Sequence, residues 1–349
     1  MKTPLNGGEA IIRAMLREHW QLTITDISFI PFGDSAYSYR VETSEHTSYY
    51  LKIADQQTSA GLRTTTHMEF SLPLQRFVAE YRLAEVTAPL PQLTSQGAYH
   101  ASHGSLLFAL YTFIHGNTLA DAYPMPPALV QQIGQALAAL HTIQLPEELQ
   151  QHSPQDSITA PFDANLLIDL ASLERISSQD APYLQRLYEI VWSRREEIRA
   201  FLAHSHDYAR KARQLVTQPV LCHGDPWGGN IMLSPSGLFT FLDWEAAMMA
   251  PPERDAFFYM GYVGPNFTAF DAGYRMIHQR TIHWQADLLA YYAYRRQLRN
   301  LAQWLHNLLH EPLDEIQRDN DVTMIEHHCL DRLAGVERMA RELGALLAS

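Results

Sequence analysis

Apolar positions change their period partway along the chain. In the first part, short runs rich in β-branched and aromatic residues are broken by turn residues: "ISFIPFGDSAYSYRVET" predicts strand, turn, strand, and "TSYYLKIAD" a further strand. "HMEFSLPLQRFVAEYRL" predicts a helix with Pro73 early in it, a residue tolerable in a first turn and costly later, and "SLLFALYTFIHG" predicts the last strand of the sheet, ending at Gly116. Beyond Pro126 the period becomes helical. Leu129, Ile133, Leu137 and Leu140 of "PALVQQIGQALAALHTI" fall on one face, and long helical patterns cover residues 183–215, 284–309 and 323 onward. "LPEELQQHSPQDSITAPFD" is polar and predicts a loop. The expected class is α+β, with a small antiparallel β-rich lobe over residues 1–111, a hinge at 112–117 and a larger, mainly helical lobe over 118–349.

Composition narrows the function classes. Hydrophobic residues make up 46% and charged residues 18% of the 349, as in a soluble globular protein. A net charge of -12 argues against a nucleic-acid binder, which needs concentrated Lys and Arg, and favours a cationic small molecule as partner. No apolar run approaches the ~18 residues of a membrane span, and "MKTPLNGGEAIIRAML" lacks a signal-peptide core, so the expected location is the cytoplasm, with no membrane partner. Cys222 and Cys329 form neither a disulfide framework nor a thiolate metal cluster. "IEHHCL" places His327, His328 and Cys329 in succession, and consecutive helical residues point in different directions, so it reads as ordinary surface helix.

The densest chemistry lies in "LCHGDPWGGNIMLSPSGLFTFLDWE", Leu221 to Glu245. Two apolar runs flank "SPSG", which predicts a β-hairpin. With the turn centred between Ser236 and Gly237, Asn230 falls opposite Asp243, and directly opposed side chains have Cβ atoms about 4.5–5.5 Å apart. An amide oxygen and a carboxylate there suit a hard cation such as Mg2+, which completes its shell with water and phosphates. Asp225, in the loop entering the hairpin, is placed to accept a hydroxyl proton beside a metal-bound phosphate. Asp, Asn and Gly also cluster in ordinary turns, but the combination with His223 and Asp243 is more specific.

"HGDPWGGN" followed by "FLDWE" resembles the His-x-Asp-x-x-x-x-Asn loop and following Asp of aminoglycoside phosphotransferases and related choline-kinase-type small-molecule kinases, with "SYYLKIAD", "FALYTFIHG", "IGQALAALH" and "PPERDAFFY" extending the similarity over most of the chain. The combination of "SYYLK", "PPERD" and "YYAYRR" is most similar to its spectinomycin-phosphorylating branch. The resemblance implies a protein-kinase-like two-lobed fold and an ATP- and Mg2+-dependent small-molecule kinase, with GTP an open alternative. Asp225 would be the catalytic base, and Asn230 and Asp243 the Mg2+ ligands. Lys52 would contact nucleotide phosphates and pair with Glu69, or with Glu80 if Pro73 breaks the helix. Ser35 would serve the phosphate-covering turn, and the Thr112 carbonyl and Ile114 N–H the base. His223 and Asp255 would support the catalytic loop. Glu311 and Asp314, in an acidic segment, and Tyr292 and Arg296, on a helix, are candidates for the substrate side. The expected acceptor is a hydroxyl of a small cationic aminocyclitol or aminoglycoside, spectinomycin included. The alternatives are a metabolite such as choline, homoserine or another amino alcohol, and a non-catalytic nucleotide-binding protein of the same fold.

Overall fold

Strands β1 (Ile24–Ile30), β2 (Tyr37–Thr43), β3 (Ser48–Asp55), β5 (Ala101–His103) and β6 (Leu106–Thr112) form an antiparallel sheet in the order β1-β2-β3-β6-β5. The computed structural model describes residues 1–347 except 34, 216, 261–264 and 278–281. Side chains alternate across a pleated sheet, so each strand feeds two layers. Leu51, Ile53, Phe108 and Leu110 pack with Ile12, Met15, Leu16 and Trp20 of helix α1 (Gly8–Trp20). The alternate positions Leu107, Ala109 and Tyr111 pack with Met68 and Leu72 of helix α2 (Ser59–Tyr81). Lys52 lies between Leu51 and Ile53 on β3 and directly opposite Ala109, which puts it on the α2 face of a central strand, only 10% exposed.

Helix α2 begins well before the residue at which the sequence pattern suggested a start. Thr58 caps it, its side chain accepting from Gly61 N at 3.0 Å. Pro73 therefore sits in the helix interior rather than in a first turn. Proline has no N–H, so the Glu69 carbonyl loses its i+4 donor. Pro73→Ala is expected to stabilise the protein by about 1–3 kcal/mol by restoring that bond; an unchanged or lowered midpoint in urea denaturation would show that α2 has adapted to the proline.

A second, three-stranded sheet orders β4 (Val86–Thr87), β9 (Phe239–Phe241) and β8 (Ile231–Leu233) as β4-β9-β8, with β4 parallel to β9 and β8 antiparallel to it. Helix α4 (Glu147–His152) occupies part of the segment expected to be loop. Together these elements make one compact unit of Met1–Tyr123, Gln144–Pro154 and His223–Met248. The chain thus groups differently from a single cut at 112–117, because the hairpin after His223 belongs with the β-rich part.

The other unit comprises Pro124–Ile143, Gln155–Cys222 and Met249–Ser349. Its helices are α3 (Pro127–His141), α5 (Asp163–Ser172), α6 (Pro182–Val191), α7 (Arg195–Ala212), α8 (Glu253–Met260), α9 (Pro265–Ile277), α10 (Ala286–His310), α11 (Glu315–Thr323) and α12 (Leu333–Leu347), with β7 (Val220–Cys222) pairing β10 (Met248–Ala250). The single helical pattern over 183–215 resolves into α6 and α7, joined by a 3-10 turn at Trp192–Arg194. Helix α10 is the centrepiece: Leu298, Leu301, Leu305 and Leu308 share a core with Leu166 and Leu170 of α5, Phe201 of α7 and Ile325. The segment Met324–Cys329 is a π-helical stretch in which Cys329 is buried, while His327 pairs with Asp331. No helix among the described residues is long and apolar enough to cross a membrane.

Glu253, in the first turn of α8, is 3% exposed and accepts from Gln285 N at 3.0 Å. Burial pushes its carboxyl up to about 7 against an ordinary 4.5, with the Gln285 amide offsetting part of the rise. A carboxyl whose folded value is raised contributes stability that is fully present below the unfolded value and lost as pH climbs through the folded one. Glu253→Gln should therefore be more stable than the parent at pH 8 by up to roughly 3 kcal/mol, and the gap should close near pH 4.5. Denaturation midpoints across that range would test it; a pH-independent difference would rule out the titration.

Candidate active site

The hairpin after Asp225 is closed by a three-residue loop rather than a two-residue one. Ser234 N donates to Leu238 O at 3.0 Å around Pro235, Ser236 and Gly237, and Gly237 takes φ 87°, the left-handed position of a type I turn with a G1 bulge. The register consequently pairs Ile231 with Phe241 and Leu233 with Phe239, and Leu242 N donates to Asn230 O at 2.8 Å. Asn230 thus faces Leu242, not Asp243, which corrects the expected pairing. An odd loop shifts the ladder by one residue, and one residue changes which side chains share a face. Asp243 instead follows the end of β9 with φ 62° and ψ 68°, a left-handed conformation unusual for a non-glycine and typical of functional turns.

Gly224 and His223 shape the loop on the other side. Gly224 has φ 82°, and a Cβ there would lie 2.0 Å from the Ala246 carbonyl oxygen, so glycine alone lets this loop close against the segment after Asp243. His223 is fully buried, edge-on to Trp244 at 4.8 Å between ring centroids. Its Nδ1 accepts from Asp225 N at 3.3 Å, which puts the proton on Nε2, and Nε2 donates to Leu242 O at 2.8 Å. One ring thereby ties the Asp225 loop to the residue before Asp243. Asn230 Nδ2 donates to the main-chain oxygen of Asp225 at 2.9 Å and approaches its Oδ2 at 3.4 Å. A 3-10 turn over Gly228–Asn230 completes the loop, with Gly228 N donating to Tyr123 Oη at 3.1 Å.

Lys52 Nζ donates to Asp243 Oδ1 at 2.7 Å and to Glu245 Oε1 at 2.5 Å. The expected partner, Glu69, is instead exposed on α2, and Glu80 pairs with Arg76 at 2.9 Å. Glu245 was not singled out from the sequence; its one signal there is an acid two residues after Asp243 in "LDWE". Burial disfavours the Lys52 ammonium, but the two carboxylates outweigh it and hold its pKa well above the ordinary lysine value. Burial likewise opposes ionisation of Asp243, whose side chain keeps 46% exposure, and the Lys52 charge overcomes it, holding that carboxyl below its usual range. Glu245, 16% exposed, goes the other way: burial first, then the neighbouring Asp243 charge, push it up to about 8. Two carboxylates on one ammonium thus divide the protonation states between them.

The remaining expected residues fall in several places. Ser35 is half-buried in the bend between β1 and β2. Thr112 ends β6, its hydroxyl accepting from Leu90 N at 2.8 Å, and Ile114 lies just beyond. Asp255 belongs to the helical unit, buried, with Oδ2 at 3.1 Å from His141 Nε2; His141 Nδ1 meets Tyr274 Oη at 2.8 Å. Asp314 caps α11 by accepting from Gln317 N at 2.8 Å, and the Glu311 amide closes the end of α10 by donating to Asn307 O at 3.0 Å. Tyr292 is buried beneath the Arg254 guanidinium and Arg296 lies over Phe258. Both line a small pocket with Arg254, Arg295 and Arg299. Asp156 pairs with Arg295 at 3.1 Å, and the four arginines that line the pocket make it a poor match for a cationic acceptor.

The family model for the APH phosphotransferase enzyme family matches residues 26–294, which contain Lys52, Asp225, Asn230 and Asp243. The chain belongs to this family. Its fold is the α+β, protein-kinase-like one, and it is a small-molecule kinase. Protein StrN of Streptomyces griseus is 24% identical over 254 residues, covering 70% of this chain and 73% of that protein. Among solved structures, spectinomycin phosphotransferase APH(9)-Ia in complex with ADP and spectinomycin superposes with a TM-score of 0.75 at 20% identity, covering 96% of this phosphotransferase and 98% of that chain. Amicoumacin kinase hAmiN, in complex with AMP-PNP, Ca2+ and Ami, gives 0.59 at 15% identity over 92% and 93% of the two chains.

Proposed function

We propose that this phosphotransferase moves the γ-phosphoryl group of ATP to a hydroxyl of a small cationic aminocyclitol or aminoglycoside, with spectinomycin the leading acceptor. The observation that carries the reading is the buried Lys52 ammonium held between Asp243 and Glu245, in the same unit as the Asp225–Asn230 loop. Phosphoryl transfer needs little covalent help from protein; it needs charge neutralisation and orientation. Lys52 supplies a preorganised positive charge for nucleotide phosphates, since its two carboxylates fix its position and keep it protonated. Asp225 takes the acceptor's proton as its oxygen attacks, and Asn230 and His223 hold the Asp225 loop. Ser35 serves the phosphates, and the Thr112 carbonyl and Ile114 N–H serve the base.

The donor set suits magnesium. Asp243, Asn230 and Glu245 offer only oxygen atoms to a metal, and Asp243 keeps half its side chain open to solvent. A bound Mg2+ would neutralise phosphate charge there. Glu245 would lose its proton on meeting that charge, so the protein's own contribution is a carboxylate held in reserve.

Support for this acceptor class comes from the net charge of -12, family membership and the likeness in fold to a spectinomycin phosphotransferase. Glu311 and Asp314 are the acidic candidates for its ammonium groups, whereas the arginine-lined pocket around Tyr292 and Arg296 suits no cation. A panel of spectinomycin, aminoglycosides, choline and homoserine, each with MgATP or MgGTP, tests the reading by product mapping. Phosphorylated spectinomycin or aminoglycoside is the expected product. Turnover of choline or homoserine alone would make it a metabolite kinase, and turnover of nothing with intact nucleotide binding would make it a non-catalytic member of the fold.

A further inference from the structure

His306 and His310 stand one helical turn apart on α10, and both imidazoles turn toward Asp169 of α5. His310 Nε2 lies 2.7 Å from Asp169 Oδ1, and His306 Nδ1 lies 3.5 Å from Oδ2. The ligand-capable atoms of all three residues fall within 4.8 Å of one another. In a tetrahedral site with metal–ligand bonds near 2.0–2.1 Å, neighbouring donors are about 3.3 Å apart, so the triangle already has the right scale. The contrast with His327 and His328 is instructive: adjacent residues diverge around a helix, whereas residues four apart converge.

Asp169 supplies a second, independent observation. It is 4% exposed, and its Oδ2 is buried without a hydrogen-bond partner. A buried carboxylate oxygen left in that state is costly unless a cation meets it. Leu166, Leu170 and Leu173 fix its backbone against Leu301, Leu305 and Leu308 of α10, so the carboxylate is held while the histidines, 35% and 47% exposed, stay reachable from solvent.

We propose that Asp169, His306 and His310 form a binding site for a divalent transition metal of the zinc class, with water in the fourth position. Two imidazoles and one carboxylate are borderline donors: they suit Zn2+, Co2+ or Ni2+ and disfavour Mg2+, which takes oxygen. The metal joins α5 to α10 in the helical unit. None of the proposed phosphotransfer residues takes part, so the site is independent of the reaction.

The test uses untagged, metal-stripped full-length protein, with saturating Mg2+ present to occupy oxygen-only sites, titrated with Co2+ as spectroscopic probe. The expected result is visible ligand-field absorption that saturates at one equivalent and is bleached by one equivalent of Zn2+, together with a rise in Tm on the order of 2–4 °C. His306→Ala and His310→Ala should each weaken binding by at least about tenfold, the double variant should abolish it, and His327→Ala should leave it unchanged. Matching apo-protein Tm and circular dichroism would show that the variants fold. Absorption that survives in the double variant, or no uptake at all, overturns the proposal. So does an intense near-ultraviolet sulfur-to-cobalt band, which would assign the metal to the buried His141, Cys222 and Asp255 group.

Discussion

Asp225→Asn is expected to lower kcat/KM for phosphoryl transfer by about 10²–10⁴-fold while leaving MgATP affinity within a few-fold of the parent. The substitution preserves shape, and the Asn230 contact that positions the loop survives because its 2.9 Å bond goes to the main-chain oxygen of residue 225. The His223 bond also goes to the residue 225 amide, so both anchors are backbone. What disappears is a carboxylate able to receive the acceptor's proton. Loss of turnover with nucleotide binding retained, measured by steady-state kinetics and calorimetry, would assign Asp225 to the chemical step. Parent-level turnover would remove it from that role, and loss of both properties would make it a structural residue.

Lys52→Met should cost about 10²–10³-fold in kcat/KM, the scale of removing one preorganised charge from a developing anion. It also takes away the ammonium that holds Asp243 ionised, so burial, now unopposed by that charge, raises the Asp243 carboxyl beside a Glu245 that is already shifted upward. The two effects act together: a phosphate contact is lost and a proposed metal ligand loses charge. Glu69→Gln separates this arrangement from the expected lysine–glutamate pair on α2. Since Glu69 is exposed and Lys52 is engaged elsewhere, that variant should stay within about twofold of the parent, inside the range of ordinary surface substitutions. A Glu69→Gln loss rivalling that of Lys52→Met would mean that the working enzyme uses the helix glutamate.

Residues close in sequence were the easiest to read. Asp225, Asn230 and Asp243 are joined by a loop and a hairpin whose type is dictated by glycine, proline and alternating apolar residues, so local rules reached them. Their register was not reached. Ser236-Gly237 suggested an even loop, but Gly237 serves as the bulge residue of an odd one, and that choice depends on how the ladder closes around Ser234 and Leu238. Helix α2 shows the opposite failure. Pro73 is a strong local stop signal, yet burial of Met68 and Leu72 against one face of the sheet outweighs it.

The sequence by itself determined the class of elements, the change from strand to helix after residue 126, and the cluster of groups from His223 to Asp243 proposed to carry phosphoryl transfer. Hydrophobic period and turn chemistry are properties of neighbours along the chain, and they suffice for these. Tertiary structure alone decided the partners of Lys52, the one-residue register of the hairpin, and the meeting of Asp169 with His306 and His310. The register depends on how the ladder closes around Ser234 and Leu238, whereas the Lys52 and Asp169 contacts join segments distant in sequence and depend on which faces pack together. Glu245 displaced Glu69 for that reason: the carboxylates nearest the lysine came from the chain folded against its face of the sheet, not from the helix that best matched the pattern.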